Sequence, residues 1–110
     1  MQINVGDLWS CRRSVVYLIT HIESFNEPFK GRCLDYPDYP VRITLGKVDN
    51  EWEFLVRVKP GQVWSYQDQD YTITEVNESG IYAGSIRLKI HGYISEYRKW
   101  SLKRDVIPET

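Results

Sequence analysis

A chain of 110 residues is long enough for one domain or for two very small ones. Its hydrophobic content of 42% and aromatic content of 14% exclude a disordered tail. With 14 Lys+Arg against 15 Asp+Glu and a net charge of −1, it is not a polycation that binds nucleic acid through overall charge.

No long apolar run that could cross a membrane is present, and the N-terminus lacks a basic-then-apolar signal pattern. The sequence therefore predicts a cytoplasmic protein without membrane contact. Tyr, Ile, Val and Thr are common while Ala83 is the single alanine, and this balance favours strands over helices.

The chain repeats one pattern in its two halves. Residues 5–10 (VGDLWS) return as residues 60–65 (PGQVWS), and residues 17–20 (YLIT) return as residues 71–74 (YTIT). Trp52 and Val58 likewise return as Trp100 and Val106. A period near half the chain length predicts two copies of one unit, at residues 1–58 and 59–110. Each copy, at about 50 residues, is too small for a large core of its own, so we expect the copies to pack as one body.

The first copy contains short runs that predict strands, and Tyr17 and Ile19 show the period of two expected of a half-buried strand. The runs are residues 7–12, 15–24, 31–34, 41–45 and 52–58. Between the third and fourth runs lies the insertion 35–40 (DYPDYP), whose prolines cannot donate ladder hydrogen bonds and predict a stiff loop.

The second copy begins with strands at residues 62–66 and 71–76, joined by a polar hairpin loop at 67–70. A turn at 77–80 precedes a predicted strand over 81–90 with a kink at Gly84. The segment 94–103 is richer in Ser, Glu, Lys and Arg, which suggests one helical turn before a final strand near 106–107.

Several short strands joined by turns in about 50 residues predict a small antiparallel barrel. The pattern Gly-x-hydrophobic-Trp followed by Tyr-x-Ile-Thr, at residues 6–9 with 17–20 and 61–64 with 71–74, resembles the opening hairpin of SH3-like barrels. These include Tudor- and KOW-type modules and many bacterial and phage proteins. The resemblance covers both copies and implies an all-β fold of two tandem SH3-like antiparallel barrels packed into one compact body.

Motifs for chemistry are missing from the sequence. It contains no nucleophile elbow and no Gly-rich phosphate loop, so we expect a protein that is not an enzyme and needs no cofactor. A hidden hydrolase would require an essential His21 or His91. With Cys11 and Cys33 these histidines lack the close pairs typical of a zinc site, so no metal is predicted. The two cysteines could form one disulfide, but reduced thiols are favoured.

Aromatic residues that recur in both copies have two interpretations. Trp9 with Tyr17, or Trp64 with Tyr71, could form a Tudor-like cage for a methylated ammonium. A barrel of this size also needs large side chains to fill its core. The core interpretation is favoured because large aromatic side chains are mostly buried.

Aromatic residues present in the first copy alone are free to serve function. They lie beside acidic residues in Pro-containing loops, where rigid tyrosines could anchor a protein partner or fold back into the barrel. The candidate protein-binding residues are Asp35, Tyr36, Asp38, Tyr39 and Phe29. The leading hypothesis is a protein-interaction module, and by analogy a phage or mobile-element protein that binds and modulates a host factor.

The alternative hypothesis is a nucleic-acid-binding surface on the second copy, because basic residues cluster near Tyr93, Tyr97 and Trp100. The candidates are Arg87, Lys89, Arg98, Lys99, Lys103 and Arg104, with His91 on the same predicted strand face. Nearby Glu96, Asp105 and Glu109 fit an ordinary solvated face equally well. An exposed edge strand on either barrel could also pair across a twofold axis and form a homodimer.

Overall fold

Antiparallel strands make up most of the described chain. The computed structural model describes residues 3–12, 14–24, 29–34, 40–45 and 52–106. Within these ranges the elements are β1 Asp7–Cys11, β2 Val15–Ser24, β3 Phe29–Leu34, β4 Pro40–Leu45, β5 Trp52–Arg57, β6 Val63–Tyr66, β7 Gln69–Thr72, β8 Glu75–Asn77, β9 Gly80–Ala83, β10 Ile86–Leu88, β11 Gly92–Tyr93, α1 Ile94–Tyr97 and β12 Trp100–Arg104. The all-β prediction is therefore confirmed.

The first half of the chain forms one twisted antiparallel sheet with the order β4-β3-β2-β1-β5. β2 is long enough to pair with β1 near its start and with β3 further on, and its first residues also pair with β11 from the second half. Among the described strands, β4 and β5 are the outermost members of this path. Each of them therefore presents one backbone edge that no described strand pairs with.

The second half forms two three-stranded sheets, with the orders β12-β6-β7 and β10-β9-β8. β6 lies between β7 and β12, just as β1 lies between β2 and β5. Trp64 is opposite Tyr71 in one pair, as Trp9 is opposite Tyr17 in the other. The two repeated hairpins thus have the same cross-strand register.

One local prediction for the second half was wrong. The predicted strand over 81–90 is a hairpin of β9 and β10, because Gly84 adopts a left-handed conformation with φ of +65°. The Gly84 N–H donates to Thr74 Oγ1 at 2.8 Å, which holds this turn. The last described strand is β12, and the strand predicted near 106–107 lies partly outside the described residues. The helical turn predicted within 94–103 is confirmed as α1.

The β1–β3 part of the first sheet is buried on both faces, because successive strand residues point to opposite sides. Leu8 faces one core cluster and its neighbour Trp9 faces the other. The first cluster contains residues of both halves: Leu8, Val16, Leu18, Leu34, Val58, Trp64, Ile73, Ile81, Leu88 and Ile90. The halves therefore bury surface against each other, as predicted from their small size.

Gln62 connects the halves through a buried network of hydrogen bonds, with only 1% of its surface exposed. Its Nε2 donates to the Arg57 carbonyl at 2.9 Å and to Asp105 Oδ1 at 2.8 Å. Its Oε1 accepts from the Lys59 N–H and from Trp64 Nε1, both at 3.0 Å. Both donor hydrogens and both acceptor sites of the amide are thus used.

The equivalent position in the first half is Asp7, which follows Gly6 as Gln62 follows Gly61. The buried Asp7 carboxylate accepts from Arg57 Nε at 2.8 Å. In both halves, therefore, the residue after the turn glycine holds the chain at the end of the closing segment. Gly6 itself has φ of +95°, and a Cβ there would lie 2.6 Å from the Val58 carbonyl oxygen, so this approach requires glycine.

We predict that Gln62→Ala lowers the free energy of unfolding by about 3 kcal/mol, because it leaves buried donors and acceptors without partners. Urea denaturation followed by circular dichroism measures this change. Gln69→Ala, at an exposed position of β7, is the matched control and should change the value by no more than about 0.5 kcal/mol. Equal effects of both variants would contradict the role assigned to Gln62.

A second prediction concerns acid stability. The Gln62 amide and then the Val106 N–H donate to the Asp105 carboxylate, and these bonds lower its pKa. A lowered folded-state pKa stabilises the fold above the unfolded-state value of about 3.9, and this stabilisation is lost as the pH falls through the folded-state pKa. Asp105→Asn should therefore lose less stability than the wild type between about pH 5 and pH 3. Parallel pH profiles for the two proteins would show that the Asp105 contacts are not retained in solution.

Candidate functional site

The predicted protein-binding residues fall into two groups. Asp35, Tyr36, Asp38 and Tyr39 lie outside the described residues. Phe29 was expected in a loop, but it begins β3 and only 6% of its surface is exposed. It packs in the core cluster with Trp9 and Ile43 because its place in the strand directs it to the buried face. Phe29 therefore serves the core and is not a surface anchor.

The repeated tryptophans are core residues, as the favoured interpretation predicted. Trp9 is 3% exposed and Trp64 is 2% exposed, so neither ring can form an open cage wall. The tyrosines proposed as their cage partners instead contact another tryptophan. Tyr17 lies 5.3 Å from Trp52, and Tyr71 lies 5.8 Å from Trp100, measured between ring centroids.

These two half-buried pairs occupy equivalent places but have different neighbours. In the second half Tyr66 is opposite Trp100 on the next strand, and its ring centroid lies 4.8 Å from that of Trp100. In the first half the residue opposite Trp52 is Cys11. A cysteine is too small to cover an indole ring. Trp52 and Trp100 are both partly buried, and the two sites differ in the residue opposite the indole ring.

A cleft of about 290 Å³ opens beside the Tyr17–Trp52 pair. We call it the β4 cleft. Its lining residues are Tyr17, Cys33, Val41, Arg42, Ile43, Thr44 and Trp52. Residues of the four strands β2, β3, β4 and β5 supply this lining, so it exists only in the folded sheet. Its aromatic and aliphatic walls suit an apolar side chain.

The backbone of β4 forms part of the cleft. Residues 41–44 are consecutive in this strand and all four line the cleft. Successive side chains of a strand point to opposite faces, so one face alone cannot supply all four. Backbone atoms of β4 therefore contribute to the cleft wall. β4 is also an outermost strand of the described sheet, so one of its edges is paired with no described strand.

Positive charge lies on one side of this edge. Arg42 is exposed and is directly opposite Arg32 of β3, so the two side chains share a sheet face. Lys30 is opposite Thr44 on the same face. Arg32 donates to Glu23 Oε1 at 3.3 Å, which offsets its charge in part. On the other face lie Val41 and Ile43.

All six basic residues of the alternative site are exposed, but two of them, Arg87 and Arg98, line different surface grooves. Arg87 lines a groove with Leu34, Pro40 and Tyr82, whereas Arg98 lines another groove with Ser10 and Glu53. The remaining members are Lys89, Lys99, Lys103 and Arg104.

Contacts within this region further alter the predicted patch. Lys99 Nζ donates to Glu96 Oε1 at 3.0 Å, and this bond raises the pKa of Lys99. His91 was expected on the exposed strand face but is buried, because it follows β10 and precedes β11 at the junction with β2. Burial also raises the pKa of Tyr97. Tyr93 remains exposed as a stacking surface.

The other residues considered for chemistry are separated. Cys11 is half-buried and Cys33 is buried, and they are not joined by a disulfide. His21 Nε2 lies 3.3 Å from Glu78 Oε2, a contact that links β2 to the turn after β8. Within the ranges that the structure describes, no cluster of three His, Cys, Asp or Glu residues forms a metal-binding group. In the same ranges, no helix has the length and apolar character needed to span a bilayer.

Comparison with protein-family models, with curated proteins and with solved structures finds no match to this chain. The assignment of the candidate site therefore rests on the geometry of the residues described above. Val41, Arg42, Ile43 and Trp52 were not predicted as site residues. The sequence showed Trp52 only as the counterpart of Trp100. The alignment of Cys11 with Tyr66 was the one signal that could have indicated different surroundings for the two tryptophans.

Proposed function

We propose that this protein is a non-catalytic protein-interaction module that binds its partner through the β4 cleft. In this proposal residues 1–58 and 59–110 are two SH3-like units packed into one body. The shared position of β1 and β6 at the centre of three strands supports the assignment, as does the shared Trp–Tyr register. The placement of α1 directly before the closing strand β12 also fits an SH3-like unit.

The observation that carries the proposal is the half-exposed Tyr17–Trp52 pair beside an open strand edge. Tyr and Trp are the residues that most often dominate the binding energy of protein interfaces. They supply a large contact area while losing little side-chain entropy. Trp52, unlike the buried Trp9 and Trp64, is only partly buried, so part of its ring is accessible to a partner.

Nucleic-acid binding by the second half is the competing proposal, favoured by the exposure of all six predicted basic residues. Such binding would weaken steeply with salt, because phosphate contacts release counterions. The placement of Arg87 and Arg98 in different grooves, and the Lys99–Glu96 bond, argue for separate solvated charges. That the protein belongs to a phage or mobile element, and that it binds and modulates a host factor, stays a prediction.

We predict that Trp52→Ala weakens binding of the partner about thirtyfold, the equivalent of about 2 kcal/mol for a central aromatic anchor. The partner is first captured from host lysate treated with nuclease, and its affinity for the purified variants is then measured by calorimetry. Trp100→Ala is the matched control, since Trp100 occupies the equivalent place in the second half. It should bind within about twofold of the wild type.

A complementary variant covers the aromatic pair rather than removing it. Cys11→Tyr places a tyrosine opposite Trp52, as Tyr66 is placed opposite Trp100. We expect it to retain the fold and to weaken partner binding about tenfold. Capture of nucleic acid instead, lost on Arg98→Glu with Lys99→Glu and unaffected by changes at Trp52, would replace this proposal with the basic surface.

A further inference from the structure

We infer that the β4 cleft binds its partner as an extended peptide that adds a strand to the edge of β4 and alternates acidic with apolar side chains. The inference rests on the proposed function and specifies the chemistry of its partner. Strand addition combines main-chain hydrogen bonds, which give affinity, with pockets for every second side chain, which give specificity.

The strand edge supplies the main-chain part of this site. β4 is outermost in the described sheet, and its residues 41–44 form one wall of the cleft. An outer strand presents unpaired N–H and C=O groups in a regular row. Val41 and Ile43 of β4 line the cleft together with the Tyr17–Trp52 pair. An extended peptide that bonds to the unpaired edge of β4 can therefore direct apolar side chains toward this lining.

The two faces of β4 determine which side chains the peptide must carry. Val41 lies opposite Cys33, and with Ile43 and the aromatic pair it forms an apolar surface. Arg42 and Arg32 are opposite one another on the other face. An added strand sends successive side chains to these faces in turn. Apolar residues therefore meet the cleft, and acidic residues meet the arginines.

The charge of Arg42 also bears on the choice between an acidic peptide and the methylated ammonium that an aromatic cage would bind. Arg42 lines the cleft and has no carboxylate partner among the described residues. Its side chain shares a sheet face with Arg32, opposite the face of Val41 and Ile43. A carboxylate on that face of an added strand would form a charge-assisted hydrogen bond with this guanidinium, which a methylated ammonium cannot do. The added strand is therefore expected to be acidic on this face.

The test uses a fluorescein-labelled synthetic peptide in which glutamate alternates with valine and phenylalanine, with binding to the full chain followed by fluorescence anisotropy. A peptide of the same composition with its glutamates grouped at one end is the control and should bind at least about tenfold more weakly. Arg42→Glu should weaken binding of the alternating peptide about tenfold, whereas Arg42→Lys and the distant Arg98→Glu should leave it within about twofold.

Backbone methylation distinguishes strand addition from side-chain docking. In an added strand every second N–H points to the partner strand. Peptides methylated on one set of alternate amides should lose binding about tenfold, and those methylated on the other set should bind as before. Hydrogen exchange should show new protection at residues 41–44 on binding. Equal binding of both methylated forms, with no protection there, would overturn the inference.

Two further outcomes separate the inference from the proposed function. A Trp52-dependent protein partner that is captured from lysate while the alternating peptide fails to bind would refute strand addition and leave the interaction module intact. Concentration-dependent dimerisation in sedimentation experiments, abolished by Arg42→Glu, would show that a second copy of this chain occupies the edge and would overturn the choice of ligand. Loss of both peptide binding and Trp52-dependent capture would refute both proposals.

Discussion

The Gln62 amide holds the junction between the two halves of this protein. It is buried, and each of its four hydrogen bonds reaches a different part of the junction: the end of β5, the linker at Lys59, the core Trp64 and the chain after β12. A buried amide without these partners would cost free energy, so the arrangement is favourable only when every partner is in place. The network therefore fixes how the first sheet meets the second half, and with it the continuity of the shared core.

Asp7 and Gln62 show how one geometry is maintained with two chemistries. Asp7 is a buried carboxylate that accepts from Arg57, whereas Gln62 is a neutral amide that donates to Asp105. The direction of the hydrogen bond is reversed, but each pair joins the start of one hairpin to the end of the closing segment. An ion pair costs free energy because both charges lose water. Here that desolvation cost is smaller because Arg57 is partly exposed. The two pairs occupy equivalent positions but differ in charge, so this junction requires a hydrogen bond at that position rather than a particular charge.

The sequence predicted the local structure better than the arrangement of strands. Alternation and polar breaks identified most strands and the hairpin between β6 and β7, and the burial of Trp9 and Trp64 followed from their recurrence. The break at Gly84 was missed because a single glycine in an apolar run does not show whether its φ is positive. Phe29 was assigned to a loop because the residues before it, 26–28 (NEP), are polar or proline. It nevertheless begins β3, opposite Leu45, which is distant in sequence. The open edge of β4 could not be predicted, since an edge is defined by long-range pairing.

The difference between the halves is the reason for placing the proposed site in the first. Tyr66 and Tyr71 both pack against Trp100, so that indole ring satisfies its apolar contacts within the second half. Cys11 takes the place of Tyr66 in the first half, so the residue opposite Trp52 on the next strand is not aromatic. Apolar surface left in contact with water favours association with a partner that covers it. In the proposed site, Cys11 stands where the second half has Tyr66, and the Tyr17–Trp52 pair lines a cleft with β4, a strand that has one edge paired with no described strand.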